Sequence, residues 1–152
     1  TTGKMLAKKL SFNFVDIDKL IEKKENCSIN AIFKSKGEPF FRKLENQITL
    51  EELKKQESVI SLGGGAFMNE HIRKEILSNH FSFWLNCNEE VLLQRIRINK
   101  KRPLVHKSTD EEIKEIIKKR NKIYAKAQFK INCNKDTKTE IVDRIIKIYE
   151  TC

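Results

Sequence analysis

Four short apolar runs, at Phe12–Val15, Ser58–Leu62, Phe81–Leu85 and Phe129–Asn132, alternate with stretches whose apolar residues recur at helical spacing. That alternation limits the fold more than any other feature. Strands separated by helices pair in parallel, because a parallel neighbour is reached only through a long crossover, and the helices then cover both faces of the sheet. The expected fold class is α/β, three layers with a parallel sheet flanked by helices. At 152 residues and 39% hydrophobic content, one domain over 1–152 is expected, without internal repeat or linker.

Local signals place the helices. Met5, Leu6 and Leu10 predict a first helix already under way at residue 1, without a cap. Ser28 is a candidate cap for a helix through Ile29, Ile32 and Phe33, Gly37 should stop it, and a longer helix follows Pro39. Asn88, followed by Glu89 and Glu90, opens another helix with acids where the dipole favours them. Thr109 with Glu112, and Thr137 with Glu140, have capping-box spacing. The basic stretch from Asn99 to Ser108 lies between two helices and is the best candidate for a mobile segment.

Charge narrows the partners. With 31 Lys plus Arg against 21 Asp plus Glu, the chain has a net charge of +10, which favours anions: nucleic acid, acidic lipid or a phosphorylated small molecule. Much of the excess is dispersed lysine on solvated helix faces, and two Tyr with one Trp offer little for stacking bases, so nucleic acid is not expected. No apolar run approaches the ~20 residues of a membrane span, and the first residues lack a signal-peptide core. The expectation is a soluble protein with no membrane partner. Cys27, Cys87, Cys133 and Cys152 form no Cys-x-x-Cys, which argues against a zinc site or redox motif and for reduced thiols inside the cell.

Four constellations bear on chemistry. Asp16-x-Asp18 ends the first strand, where open α/β sheets place ligands; two carboxylates on one strand face suit Mg²⁺ handling or proton abstraction, although taken alone the pair is better explained as a surface strand end with Asp18 capping the next helix. Arg42 and Glu45, three apart after Gly37, can pair and so fix a guanidinium fork for a carboxylate or phosphate, or they are an ordinary exposed pair. Gly63-Gly64-Gly65 after a strand lets backbone N–H groups approach a ligand, or is a flexible turn. Arg120 continues the buried stripe of Ile113, Ile116 and Ile117, so it wants an anion, either a ligand or an internal carboxylate; Arg95 and Arg102-Pro103-Leu104 lie upstream of it.

In this order, Asp16-Ile17-Asp18, Ile32-Phe33, Gly37-Glu38, Phe41-Arg42 with Glu45, Ser61 to Ala66, Arg102-Pro103-Leu104, and Arg120 with Tyr124 resemble the shikimate kinase family over essentially the whole chain. The resemblance implies a P-loop, nucleoside-monophosphate-kinase-like fold and transfer of the ATP γ-phosphoryl group to the 3-hydroxyl of shikimate, in aromatic amino-acid biosynthesis. It implies Asp18 as the residue that binds shikimate hydroxyls and takes the proton, and Asp16 as a water-mediated partner of Mg²⁺. Arg42 and Arg120 would clamp the carboxylate beside Gly64 and Gly65, with Phe33 and Phe41 as walls. Arg102 would reach the ATP phosphates in catalysis and Arg95 would stack on adenine, with a lid at about residues 96–109. A monomer in the cytoplasm is expected. Family members open with a strand and a Walker A loop, G-x-x-x-x-G-K-[ST], whereas Thr1 aligns just after that motif. The expectation is therefore a sequence truncated at its N-terminus, its central first strand absent here, from a protein that is active when intact. A kinase-dead binding protein, or a P-loop kinase for another small molecule, is the alternative.

Overall fold

The computed structural model describes residues 1–99 and 107–152. In chain order these form α1 (Thr2–Leu10), β1 (Asn13–Asp16), α2 (Ile17–Glu25), α3 (Ile29–Leu53), β2 (Ser58–Ser61), a 3₁₀ turn (Ala66–Met68), α4 (Glu70–Asn79), β3 (Phe83–Asn86), α5 (Glu89–Ile98), α6 (Asp110–Tyr124), β4 (Phe129–Asn132) and α7 (Lys138–Glu150). The strands form two parallel ladders. β1 pairs with β2 from Asn13–Ser58 to Asp16–Ser61, and β3 with β4 from Phe83–Phe129 to Asn86–Asn132. Among the described residues no ladder joins β2 to β3. Val59 of β2 and Phe83 of β3 nevertheless pack against one core, formed by Leu6, Ile131, Ile141, Val142 and Ile145.

Each crossover buries its own apolar stripe. α2 and α3 close the β1–β2 ladder with Ile17, Ile21, Ile32 and Ile48, each at most 1% exposed, and burying such a side chain contributes roughly 1.5–3 kcal/mol. α5 and α6 meet through Leu93, Ile96, Ile113 and Ile117. No described helix is long and apolar enough to cross a membrane.

Three expectations need correction. The first helix does have a cap: the Thr1 hydroxyl accepts from Lys4 N–H at 3.4 Å. The strand from Phe81 begins two residues later, at Phe83, while Phe81 is half exposed and packs edge-on against Tyr149. Asp16 and Asp18 do not share a strand face, because β1 ends at Asp16 and the fully buried Ile17 already heads α2. Asp16 is the cap, its Oδ1 accepting from Lys19 N–H at 3.2 Å, and Asp18 sits in the first turn, where the helix dipole favours a carboxylate.

Other local signals hold. Ser28 caps α3, and both capping boxes close reciprocally. Gly37 interrupts α3 with φ 81°, a left-handed conformation that glycine adopts without the Cβ penalty. Pro39, just past the break, stands where a helical start has no use for its missing N–H.

Candidate active site

β2 delivers the chain at Ser61 into Gly63-Gly64-Gly65, and charged side chains from three helices rest on that turn. Asp18 Oδ1, from α2, lies 2.8 Å from where a Cβ on Gly63 would stand, and Glu45 Oε2, from α3, lies 3.1 Å from the same point. Arg120 Nη1, from α6, would be 2.6 Å from a Cβ on Gly64. Arg42 Cζ, from α3, would be 2.6 Å from a Cβ on Gly65. The triplet is glycine for room as much as for bending: Gly65 has φ −103° and ψ −19°, which any residue adopts, yet a methyl group there would displace the Arg42 guanidinium.

Arg42 is held on several sides. Its Nη1 donates to Glu45 Oε1 at 2.7 Å, its Nε is 3.5 Å from Glu38 Oε1, and its Cζ stands 5.2 Å from the centre of the Phe41 ring. The Glu45 side chain is only 2% exposed against 30% for Arg42, so the carboxylate is a buried counterion that leaves part of the guanidinium facing outward. This is not the exposed pair that spacing alone allows. Arg120 is half-buried and has no carboxylate within ion-pair distance among the described residues. Four residues on, the Tyr124 hydroxyl donates to the carbonyl oxygen of Gly64, which ties α6 to the glycine turn.

The two arginines face one space. Arg42 and Arg120, with Asn46, Gly65, Met68 and Asn69, line an open cleft of about 400 Å³. Two cations and two amide side chains around a cleft of that size suit a small organic anion, and Asp18 at the first glycine adds an acceptor for a hydroxyl proton.

A family model for shikimate kinase matches residues 1–150. The chain belongs to the shikimate kinase family. It is 40% identical over 147 residues to a shikimate kinase of Sulfurihydrogenibium sp. (strain YO3AOP1), covering 96% of this chain and 87% of that one. The crystal structure of shikimate kinase from Aquifex aeolicus superposes with a TM-score of 0.87 at 36% identity, covering 98% of this chain and 88% of that chain. Shikimate kinase from Acinetobacter baumannii in complex with shikimate superposes with a TM-score of 0.92 at 27% identity, covering 99% and 85%. Members are ATP-dependent phosphotransferases, and the α/β architecture expected for a P-loop kinase is the one this chain shares with them.

Against that family frame, the structure brings Asp18, Arg42, Gly64, Gly65 and Arg120 to one turn and its cleft. Phe41 is 3% exposed and packs at a tilt of 43° against Phe33, ring centres 4.9 Å apart, in the core beneath Arg42; neither is among the residues that line the cleft. Arg95 stands in the last turn of α5, donating to the Cys87 sulfur at 3.5 Å. Of the lid expected at about 96–109, residues 100–106, Arg102 among them, lie outside the described residues. The ends of that segment are tied together, since Arg97 Nη2 donates to Asp110 Oδ1 and to Ser108 O, each at 2.7 Å.

Asp16 fits Mg²⁺ only as a single, loosely engaged carboxylate. Its Oδ1 accepts the Lys19 N–H, and no cluster of three metal-ligating side chains occurs among the described residues. One carboxylate with waters and ligand phosphates is how Mg²⁺ is commonly held. Sequence reasoning did not find Asn46, Met68 and Asn69. Asn46 had a signal, lying one helical turn after Arg42, whereas Asn69 is masked by its duty as the cap of α4, accepting from Ile72 N–H at 3.1 Å.

Proposed function

We propose that this protein is a cytoplasmic, monomeric kinase that transfers the γ-phosphoryl group of ATP to the 3-hydroxyl of shikimate. The observation that supports this most is the convergence of Arg42 and Arg120, distant in sequence, on one cleft at Gly65. Shikimate's carboxylate lies between the two guanidinium groups, Arg42 presenting its fork from the Glu45 anchor. Gly64 and Gly65, which have no side chain of their own and lie against Arg120 and Arg42, supply N–H donors beside the two cations. With the acid end fixed, the ring hydroxyls reach toward Asp18.

The 3-hydroxyl oxygen then attacks the γ-phosphorus, the bond to the β,γ-bridging oxygen breaks, and the hydroxyl proton passes to the Asp18 carboxylate. Little is asked of the protein besides alignment and neutralisation of charge. Arg102 serves the phosphates and Arg95 the adenine. Asp16 would hold Mg²⁺ through water, and the ion would supply neutralisation of phosphate charge. The net charge of +10 raises the local concentration of both anionic substrates.

The test is ADP release by the full-length protein with ATP and Mg²⁺ across an acceptor panel. Turnover should require shikimate and yield shikimate 3-phosphate. Turnover on gluconate or a nucleoside monophosphate, with none on shikimate, would contradict the proposal.

A further inference from the structure

The β3–β4 ladder ends with Asn86 opposite Asn132, so the next residues in register are Cys87 and Cys133. The backbones stay together there. Cys133 N–H donates to Asn86 O at 2.9 Å, and Asn88 N–H donates to Asn134 Oδ1 at 2.6 Å. Neighbouring strands stand about 4.8 Å apart, within the ~4.4–6.8 Å of Cα separation that a disulfide spans. Residues level with each other on adjacent strands point to the same face of a sheet, so the register that pairs Asn86 with Asn132 sets both thiols on one face at the ladder's end. Both cysteines are reduced, and neither Cys27 nor Cys152 shares their place in the ladder.

We propose that Cys87 and Cys133 are a redox-active dithiol at the carboxyl end of the β3–β4 ladder, which small disulfides of the glutathione type convert to an intramolecular disulfide beside Arg95. Cys87 is 9% exposed and Cys133 is more open, so Cys133 meets the oxidant. Its thiol loses a proton, and the thiolate attacks one sulfur of the small disulfide, breaking that S–S bond and expelling one small thiolate. Cys87, facing the Arg95 guanidinium at 3.5 Å, then gives up its proton and displaces the second small thiolate from Cys133. Two S–H bonds and the oxidant's S–S bond break, and one protein S–S bond forms. The expelled thiolates take up the two protons, so the protein loses two electrons and the oxidant gains them.

The surroundings set the rate. Burial, then the charge and hydrogen bond of Cys87, push the Cys133 thiol up to about 11; Asp136 pushes the same way, and Arg144, paired with Asp136 at 2.7 Å, opposes them. Only the thiolate attacks, so closure is slow at neutral pH and quickens roughly tenfold per pH unit below that value.

The experiment uses full-length protein with Cys27→Ser and Cys152→Ser, treated with oxidised glutathione, acid-quenched, and read by intact mass and peptide mapping. The expected product has lost both thiol hydrogens, contains a Cys87–Cys133 cross-linked peptide, and reverts with dithiothreitol. Adding Cys87→Ser to that background should stop the reaction at glutathione attached to Cys133. Mapping the cross-link in the wild-type protein gives the same reading should the multiple variant not fold. Both thiols remaining free under excess oxidant at about pH 9, or glutathione staying on Cys133 while Cys87 is present, would overturn the proposal.

Discussion

Arg42, above the β1–β2 ladder, has Glu45 at 2.7 Å, an aromatic ring beneath it and glycine backbone against its guanidinium, whereas Arg95, beyond the β3–β4 ladder, has one cysteine sulfur at 3.5 Å. The first is fixed before any ligand arrives. The second is on an exposed helix turn, where, among the described residues, a weak acceptor holds it. Preorganised groups give up little freedom on binding, so the proposed acceptor end should depend steeply on single atoms and the proposed nucleotide end should tolerate change.

The largest expected effect comes from one methyl group. Gly65→Ala keeps an allowed backbone but drives Arg42 from its seat, and shikimate affinity should fall roughly hundredfold, within the ~2–5 kcal/mol of a disrupted buried charge contact. Isothermal titration with shikimate reads this directly. An unchanged affinity would mean that the guanidinium is not held by the turn at all.

Glu45→Gln should act less strongly and in two ways. The amide keeps a hydrogen bond to Arg42 but removes the buried negative charge, so urea unfolding should show a loss of about 2 kcal/mol and shikimate binding should weaken about tenfold. Loss of stability with full binding would assign Glu45 to the core rather than to the clamp.

Arg95→Ala should have the smallest effect. An exposed cation over a ring contributes roughly 0.5–1 kcal/mol, so nucleotide affinity should fall only about threefold to fivefold, with shikimate affinity unchanged. A hundredfold loss in an ADP titration would erase the contrast between the two ends.

What sequence made legible was local. The strand at Phe129–Asn132, the cap at Ser28, the break at Gly37 and both capping boxes each depend on residues a few positions apart, and each formed as read. The place of Arg120 was legible too, because the stripe through Ile113 and Ile117 fixes which side of α6 turns inward. Asp18 was misplaced because two residues, Asp16 and Ile17, decide where strand becomes helix, and a cap at Asp16 wins over extended pairing. Asn69 and Met68 enter the cleft through a 3₁₀ turn with no periodic signal. Cys87 and Cys133 looked scattered because strand register, not spacing along the chain, makes them neighbours.

The most direct measurement compares shikimate with its neutral carboxamide on the full-length protein and on Arg42→Ala, Arg120→Ala and the double variant. For shikimate, each single loss should be large and the two should be strongly non-additive, because in the proposed complex both guanidinium groups grip the same carboxylate; for the carboxamide, both losses should shrink to about threefold. Additive losses that persist on the carboxamide would show that the two cations never share that group.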